Sequence, residues 1–130
     1  MFSNKNSKQK SEALRKILDR KGIISMPGCF DALSAKLIER EGIEVGFMSG
    51  FSVSSTKLGM PDTGLVSFSE MLEQVKNISN ATSIPFIFDG DTGYGNSVNV
   101  YRTVRDYANA GAAGVTVSYT HLTLPTILRV

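Results

Sequence analysis

The sequence has one cysteine, one histidine and no long hydrophobic run, and each shortage removes a class of protein. Cys29 alone cannot close an intrachain disulfide, so a disulfide scaffold is excluded and a reducing cytosol is the expected compartment. No apolar run approaches the ~20 residues of a membrane span, and the N-terminus lacks the apolar core of a signal peptide, so no membrane partner is expected. The one histidine, His121, is far from Cys29 in the chain. Cys29 is therefore read as a small buried apolar residue and not as a nucleophile.

Charge is also unevenly supplied. Residues 1–21 carry Lys5, Lys8, Lys10, Arg15, Lys16, Arg20 and Lys21 against Glu12 and Asp19, whereas residues 22–117 carry six basic and ten acidic residues. The overall pI of 8.8 thus belongs to an N-terminal arm, and the body is acidic. Without a basic face or a nucleic-acid motif, no nucleic-acid partner is expected.

The chain has 130 residues, 42% hydrophobic and 20% charged, which is the composition of one globular domain. Residues 1–10 read as a disordered basic arm. A helix is expected over 11–20, with Leu14, Ile17 and Leu18 on one stripe and Gly22 as its stop. Ile23-Ile24-Ser25-Met26 reads as a first strand closed by Pro27-Gly28. Asp31 is placed to cap a helix running to Glu41, with Leu33, Leu37 and Ile38 facing inward and Gly42 ending it. Val45-Gly46-Phe47-Met48 reads as a second strand. Residues 51–65 read as a long functional connection, because they are rich in Ser, Thr, Gly and Pro. Ser67-Phe68-Ser69-Glu70 is a capping box that opens a helix with Leu72, Val75 and Ile78 inward. A third strand, residues 84–88, leads to Asp89. A helix over 98–110, with Val100, Val104 and Ala108 on one stripe, ends at Gly111 and precedes a fourth strand over 113–117. Tyr94 and Tyr101 are read as packing residues. This alternation predicts right-handed βαβ units and a parallel sheet, either open or closed into a barrel. In both versions functional groups gather where strands end.

The residues at those ends are Pro27-Gly28, Ser49-Gly50 and Asp89-Gly90-Asp91. If the third strand persists through Asp91, Asp89 and Asp91 leave it on one face. Two carboxylates converging without a Lys or Arg repel, and a divalent cation relieves them. The competing reading is a plain turn that caps the next helix. An EF-hand is excluded because its twelfth position is Val100. A phosphate loop is excluded because Tyr94-Gly95-Asn96 stands where Gly-Lys-Ser/Thr would be needed. The G-x-G-x-x-G fingerprint is missing after the first strand, which lowers the dinucleotide-binding option.

Four segments occur in an order and at intervals that carry a resemblance. They are Pro27-Gly28-Cys29-Phe30-Asp31-Ala32-Leu33-Ser34-Ala35, Met48-Ser49-Gly50, Leu58-Gly59-Met60-Pro61-Asp62, and Asp89-Gly90-Asp91-Thr92-Gly93-Tyr94-Gly95-Asn96. Together they resemble the isocitrate lyase and phosphoenolpyruvate mutase superfamily. That resemblance implies a (β/α)₈ TIM barrel of which 11–117 is the N-terminal half, with four of the eight strands. It also implies Mg²⁺, with Mn²⁺ as the alternative ion, and chemistry on C–C or P–C bonds beside a 2-oxo acid or its enolate. Carried over, Asp89 is the direct metal ligand and touches the substrate. Asp91 and Asp62 hold the metal's water shell, with Asp62 also the catalytic candidate. Ser49, Gly50 and Phe51 hold the carboxylate of a small carboxylic-acid substrate. The Leu58–Asp62 segment resembles the carbon–carbon lyases, such as 2-methylisocitrate lyase, more than the P–C mutases. The full-length protein is expected to be a homo-oligomer.

After Val117 the pattern breaks. The resemblance calls for a Glu-Asp pair, then a loop carrying a catalytic Lys and, in the lyases, a Cys. The chain has no acidic residue from Ser118 onward. Residues 117–126 resemble the translated end of a transposon adapter, so 118–130 are expected to be a non-native tail. On that reading the 130 residues alone form an inactive half barrel.

Overall fold

The structure, a computed structural model, describes residues 5–118. Its elements alternate after an initial helix: α1 (Lys5–Leu18), β1 (Gly28–Cys29), α2 (Ala32–Arg40), β2 (Gly46–Met48), α3 (Gly50–Leu58), α4 (Phe68–Ala81), β3 (Phe86–Asp89), α5 (Ser97–Asn109) and β4 (Gly114–Thr116). The strands form one sheet in the order β1-β2-β3-β4, and each neighbouring pair is parallel. The register sets Met48 beside Phe88 and Asp89 beside Thr116. All strands therefore finish on one edge, where the loops to α3 and α5 begin. The core between sheet and helices contains Met48, Val53, Met71, Val75, Ile78, Phe86, Phe88 and Tyr107, all buried. Gly46 lets β2 lie close to β3, since a Cβ there would sit 2.1 Å from Cε1 of Phe86.

The helix ends follow local chemistry. Asp31 caps α2 by accepting from the Ser34 amide at 2.7 Å, and Ser67 caps α4 in a reciprocal box with Glu70. Gly42 and Gly111 take positive φ directly after the caps of α2 and α5, as stop glycines do, whereas Gly22 lies four residues beyond Leu18 and is not the stop of α1.

Several expectations are corrected. Residues 5–10 are not a disordered arm but the first turns of α1. Lys10 is buried and donates to the carbonyls of Ser79 and Thr82 at 2.8 and 2.7 Å, and Ser7 donates to the Ala112 carbonyl at 2.8 Å. An ammonium on the carbonyls at the end of α4 satisfies a helix C-terminus and ties α1 down. Residues 23–26 are not a strand; Ile23 is fully exposed, and β1 begins only at Gly28, next to the point where the Pro27 carbonyl accepts from Phe47. On α2, Leu33 and Leu37 face outward, because Ala35 is the fully buried position and 33 and 37 lie on the opposite side of a 3.6-residue turn. Residues 50–58 form α3, not an open connection, because Ser49 caps it and Gly59 closes it at φ 63. Leu18 and Tyr101 are exposed, and on α5 the buried positions are Thr103 and Tyr107. Val100, Val104 and Ala108 are half-buried beside them. Residues 119–130, which include nearly all of the expected tail, lie outside the described residues.

Candidate functional site

The site is built where β3 runs out. The strand ends at Asp89, so the condition that it persist through Asp91 is not met and the chain turns there: Asp91 takes φ 50, a left-handed conformation that ends the ladder. Gly90 allows the turn to hug β4, because a Cβ there would lie 3.0 Å from Cγ1 of Val115 and 3.1 Å from the Thr116 carbonyl. Gly90 donates to that same carbonyl at 2.8 Å, and Gly93 donates back to Gly90 at 2.8 Å. The turn then feeds Asn96, which caps α5 by accepting from Val98 and Asn99.

Asp89 is held by its neighbours. Its Oδ1 accepts from the Asp91 amide at 2.8 Å, and its Oδ2 accepts from the Gly50 amide at 3.0 Å. Gly50 is the first residue of α3, so the carboxylate also sits against the positive end of a helix. A Cβ on Gly50 would come within 2.8 Å of Oδ2, which makes glycine the residue that permits this contact.

Asp62 reaches the same place from the other side. The Ser54 hydroxyl is buried in α3 and is shared between the carbonyls of Met60 and Pro61, at 3.1 and 3.2 Å. That bond folds the corner after Gly59 back toward the strand ends. Gly50, Asp62, Gly64, Asp89, Asp91 and Tyr94 then line one cavity of about 170 Å³. Among the described residues, no Lys or Arg lines it. The Asp91 carboxyl is held above its usual range by burial, and further by the negative charges of Asp89 and Asp62. A wider depression between α2 and α4, lined by Asp31, Gln74, Asn77 and Asn80, shares no residue with this cavity.

Of the predicted site residues, Asp62, Asp89, Asp91 and Gly50 come together. Ser49 and Phe51 do not line the cavity: the Ser49 hydroxyl accepts from the Ser52 amide as the α3 cap, and the Phe51 ring is exposed. Among the described residues, no three His, Cys, Asp or Glu side chains are arranged to grip one ion directly. The donor set is nonetheless all oxygen, anionic and, among the described residues, without a cationic partner. That chemistry fits a hard divalent cation such as Mg²⁺, which keeps several waters and takes few protein carboxylates. Two supporting residues are not legible as such in the sequence. Ser54 sits in a stretch without helical periodicity, and Tyr107 donates its hydroxyl to the Asp89 carbonyl from 18 residues away. Only the register of α5 on the sheet reveals the second.

Comparison with known proteins extends this geometry. The family described as phosphoenolpyruvate phosphomutase matches residues 14–121. The chain is 45% identical to the chloroplastic carboxyvinyl-carboxyphosphonate phosphorylmutase of Arabidopsis thaliana, covering 76% of this chain and 30% of that protein. It is 44% identical to 2,3-dimethylmalate lyase of Eubacterium barkeri, covering 77% of this chain and 35% of the lyase. Among solved structures, phosphonopyruvate hydrolase in complex with oxalate and Mg²⁺ superposes with a TM-score of 0.80 at 34% identity, over 92% of this chain and 43% of that one. The chain thus spans about a third of the length of these two curated relatives.

Proposed function

Because this chain belongs to the isocitrate lyase and phosphoenolpyruvate mutase superfamily, we propose that it supplies the first four strands of a Mg²⁺-dependent carbon–carbon lyase acting on a small 2-hydroxy or 2-oxo carboxylic acid. The observation that carries this reading is the convergence of Asp62, Asp89 and Asp91 on one cavity that, among the described residues, no cationic side chain lines. Asp89 would hold the ion, and Asp91 and Asp62 would accept hydrogen bonds from its waters. Mn²⁺ is the alternative ion. When bound, the ion supplies Lewis-acid stabilisation of a developing enolate oxygen.

The chain's own residues do the rest. The Gly50 amide and the start of α3 fix one oxygen of Asp89, so the carboxylate is oriented before any ligand arrives. Ser49 and Phe51 open the same helix, whose N-terminus suits a substrate carboxylate. Asp62, on the corner held by Ser54, lines the cavity and can hold or move a proton there.

A P–C bond mutase or phosphonopyruvate-type enzyme is the second reading. Its support is that a phosphorylmutase and a lyase match this chain at 45% and 44% identity. The preference for the lyase rests on the Leu58-Gly59-Met60-Pro61-Asp62 segment. The test is to assay the full-length protein for Mg²⁺-dependent cleavage of 2-methylisocitrate and 2,3-dimethylmalate, with phosphonopyruvate as the competing substrate. Asp89→Ala should abolish turnover. Undiminished turnover in that variant would overturn the assignment, and turnover of phosphonopyruvate alone would select the second reading.

A further inference from the structure

We infer that the buried hydroxyl of Tyr107 is a positioning group that fixes the Asp89 carboxylate by holding its main-chain carbonyl. The idea that Asp89 holds a metal rests on the function proposed above; the idea that Tyr107 fixes Asp89 does not.

Tyr107 lies on α5 and is fully buried. Its ring stacks on Phe68, with centroids 6.2 Å apart and planes 15° apart, and Phe68 meets Tyr94 edge-on at 5.6 Å. A phenylalanine would fill the same space in this cluster. The hydroxyl is therefore not explained by packing, and burying it costs free energy unless it is partnered. It donates to the Asp89 carbonyl at 3.2 Å, at the last residue of β3. The Tyr94 hydroxyl lies close enough to hydrogen-bond to that of Tyr107, and Tyr94 itself lines the cavity from a left-handed backbone at φ 62. The two hydroxyls form a short polar line from the cavity wall to the main chain of Asp89.

The consequence follows from counting the bonds on one residue. Asp89 is held at its carbonyl by Tyr107, at Oδ2 by the Gly50 amide and at Oδ1 by the Asp91 amide. With the main chain fixed, the side chain can satisfy both amides at once. With the carbonyl released, the strand end can rotate and those two bonds compete with each other and with water.

The test compares the full-length protein with its Tyr107→Phe variant by amide hydrogen exchange and by titration with Mn²⁺, followed through line broadening of the Asp91 amide. Exchange at Gly50 and Asp91 should speed up about tenfold, the loss of roughly one hydrogen bond's worth of protection, while Val75 and Ile78 in α4 stay unchanged. The Mn²⁺ concentration for half-broadening should rise by a similar factor. Unchanged exchange at Gly50 and Asp91, or uniform acceleration throughout the chain, would overturn the inference and leave the hydroxyl a general stability group. Tyr94→Phe keeps the Tyr107 bond to Asp89 and provides the second variant should the first not fold. With that bond kept, exchange at the same two amides should stay within about twofold of the parent, and a tenfold acceleration there would overturn the inference. Local acceleration in a protein that binds no Mn²⁺ would sustain the positioning role and overturn the metal reading instead.

Discussion

At the scale of single residues, the molecule separates its reactive groups from its inert ones by burial. Cys29 is inert: it is wholly enclosed, and burial, aided by the nearby Asp31 charge, pushes its thiol from an ordinary 9 up to about 12. The fold therefore favours the protonated thiol. That contribution to stability is complete below the unfolded value near 9 and is lost as the pH climbs from there toward 12. The native protein at pH 8 should leave Cys29 unmodified by a thiol reagent over the time in which the denatured protein reacts fully. Rapid labelling of the native state would contradict the burial. The three aspartates at the strand ends are the opposite case, half-buried or exposed and gathered with no cationic side chain beside them among the described residues.

At the scale of elements, capping chemistry decides where helices begin. Ser67 and Glu70 each bond the other's main chain, so Ser67→Ala removes a cap and should lower stability by about 1 kcal/mol, read from the denaturant midpoint. A midpoint unchanged within error would mean that α4 is held by its core contacts alone. This helix was legible because its signal is local: a capping box followed by Leu72, Val75 and Ile78. The start of α2 at Asp31 and the turn after Asp89 were legible for the same reason. Helix α3 was not, because Gly50-Phe51-Ser52-Val53-Ser54-Ser55 has weak helix propensity and is helical through its cap, the Gly59 stop and the burial of Val53 and Ser54. The first turns of α1 were hidden likewise, since a lysine-rich start reads as solvated until Lys10 finds the carbonyls of α4. Ile23-Ile24-Ser25-Met26 misled in the other direction. An apolar run is strand-like in sequence, but a parallel strand needs a partner in register, and β2 offers rungs only from Gly28 onward. The convergence of Asp62 on Asp89 and Asp91 was carried by the family resemblance and not by spacing. The bond from Tyr107 to Asp89 had no sequence signal.

At the scale of the whole molecule, the four parallel strands are part of an α/β barrel. Among the described residues, β1 pairs only with β2 and β4 only with β3, which leaves a strand edge on each side. Ile23, Leu33 and Leu37 add exposed apolar surface. Open edges and apolar patches of this kind drive association. Residues 1–130 expressed alone should therefore sediment as oligomers or aggregates and unfold without a sharp transition. A monomer that unfolds cooperatively would show that the half barrel is self-sufficient. The central claim, that the end of β3 is a divalent-metal site, is tested most directly by an anomalous difference map of the full-length protein crystallised with Mn²⁺. The account predicts one strong peak about 2.0–2.2 Å from a carboxylate oxygen of Asp89, with Asp91 and Asp62 one water further out. A map with no peak there, or with the ion bound elsewhere and Asp89 still bonded only to the Gly50 and Asp91 amides, would contradict it.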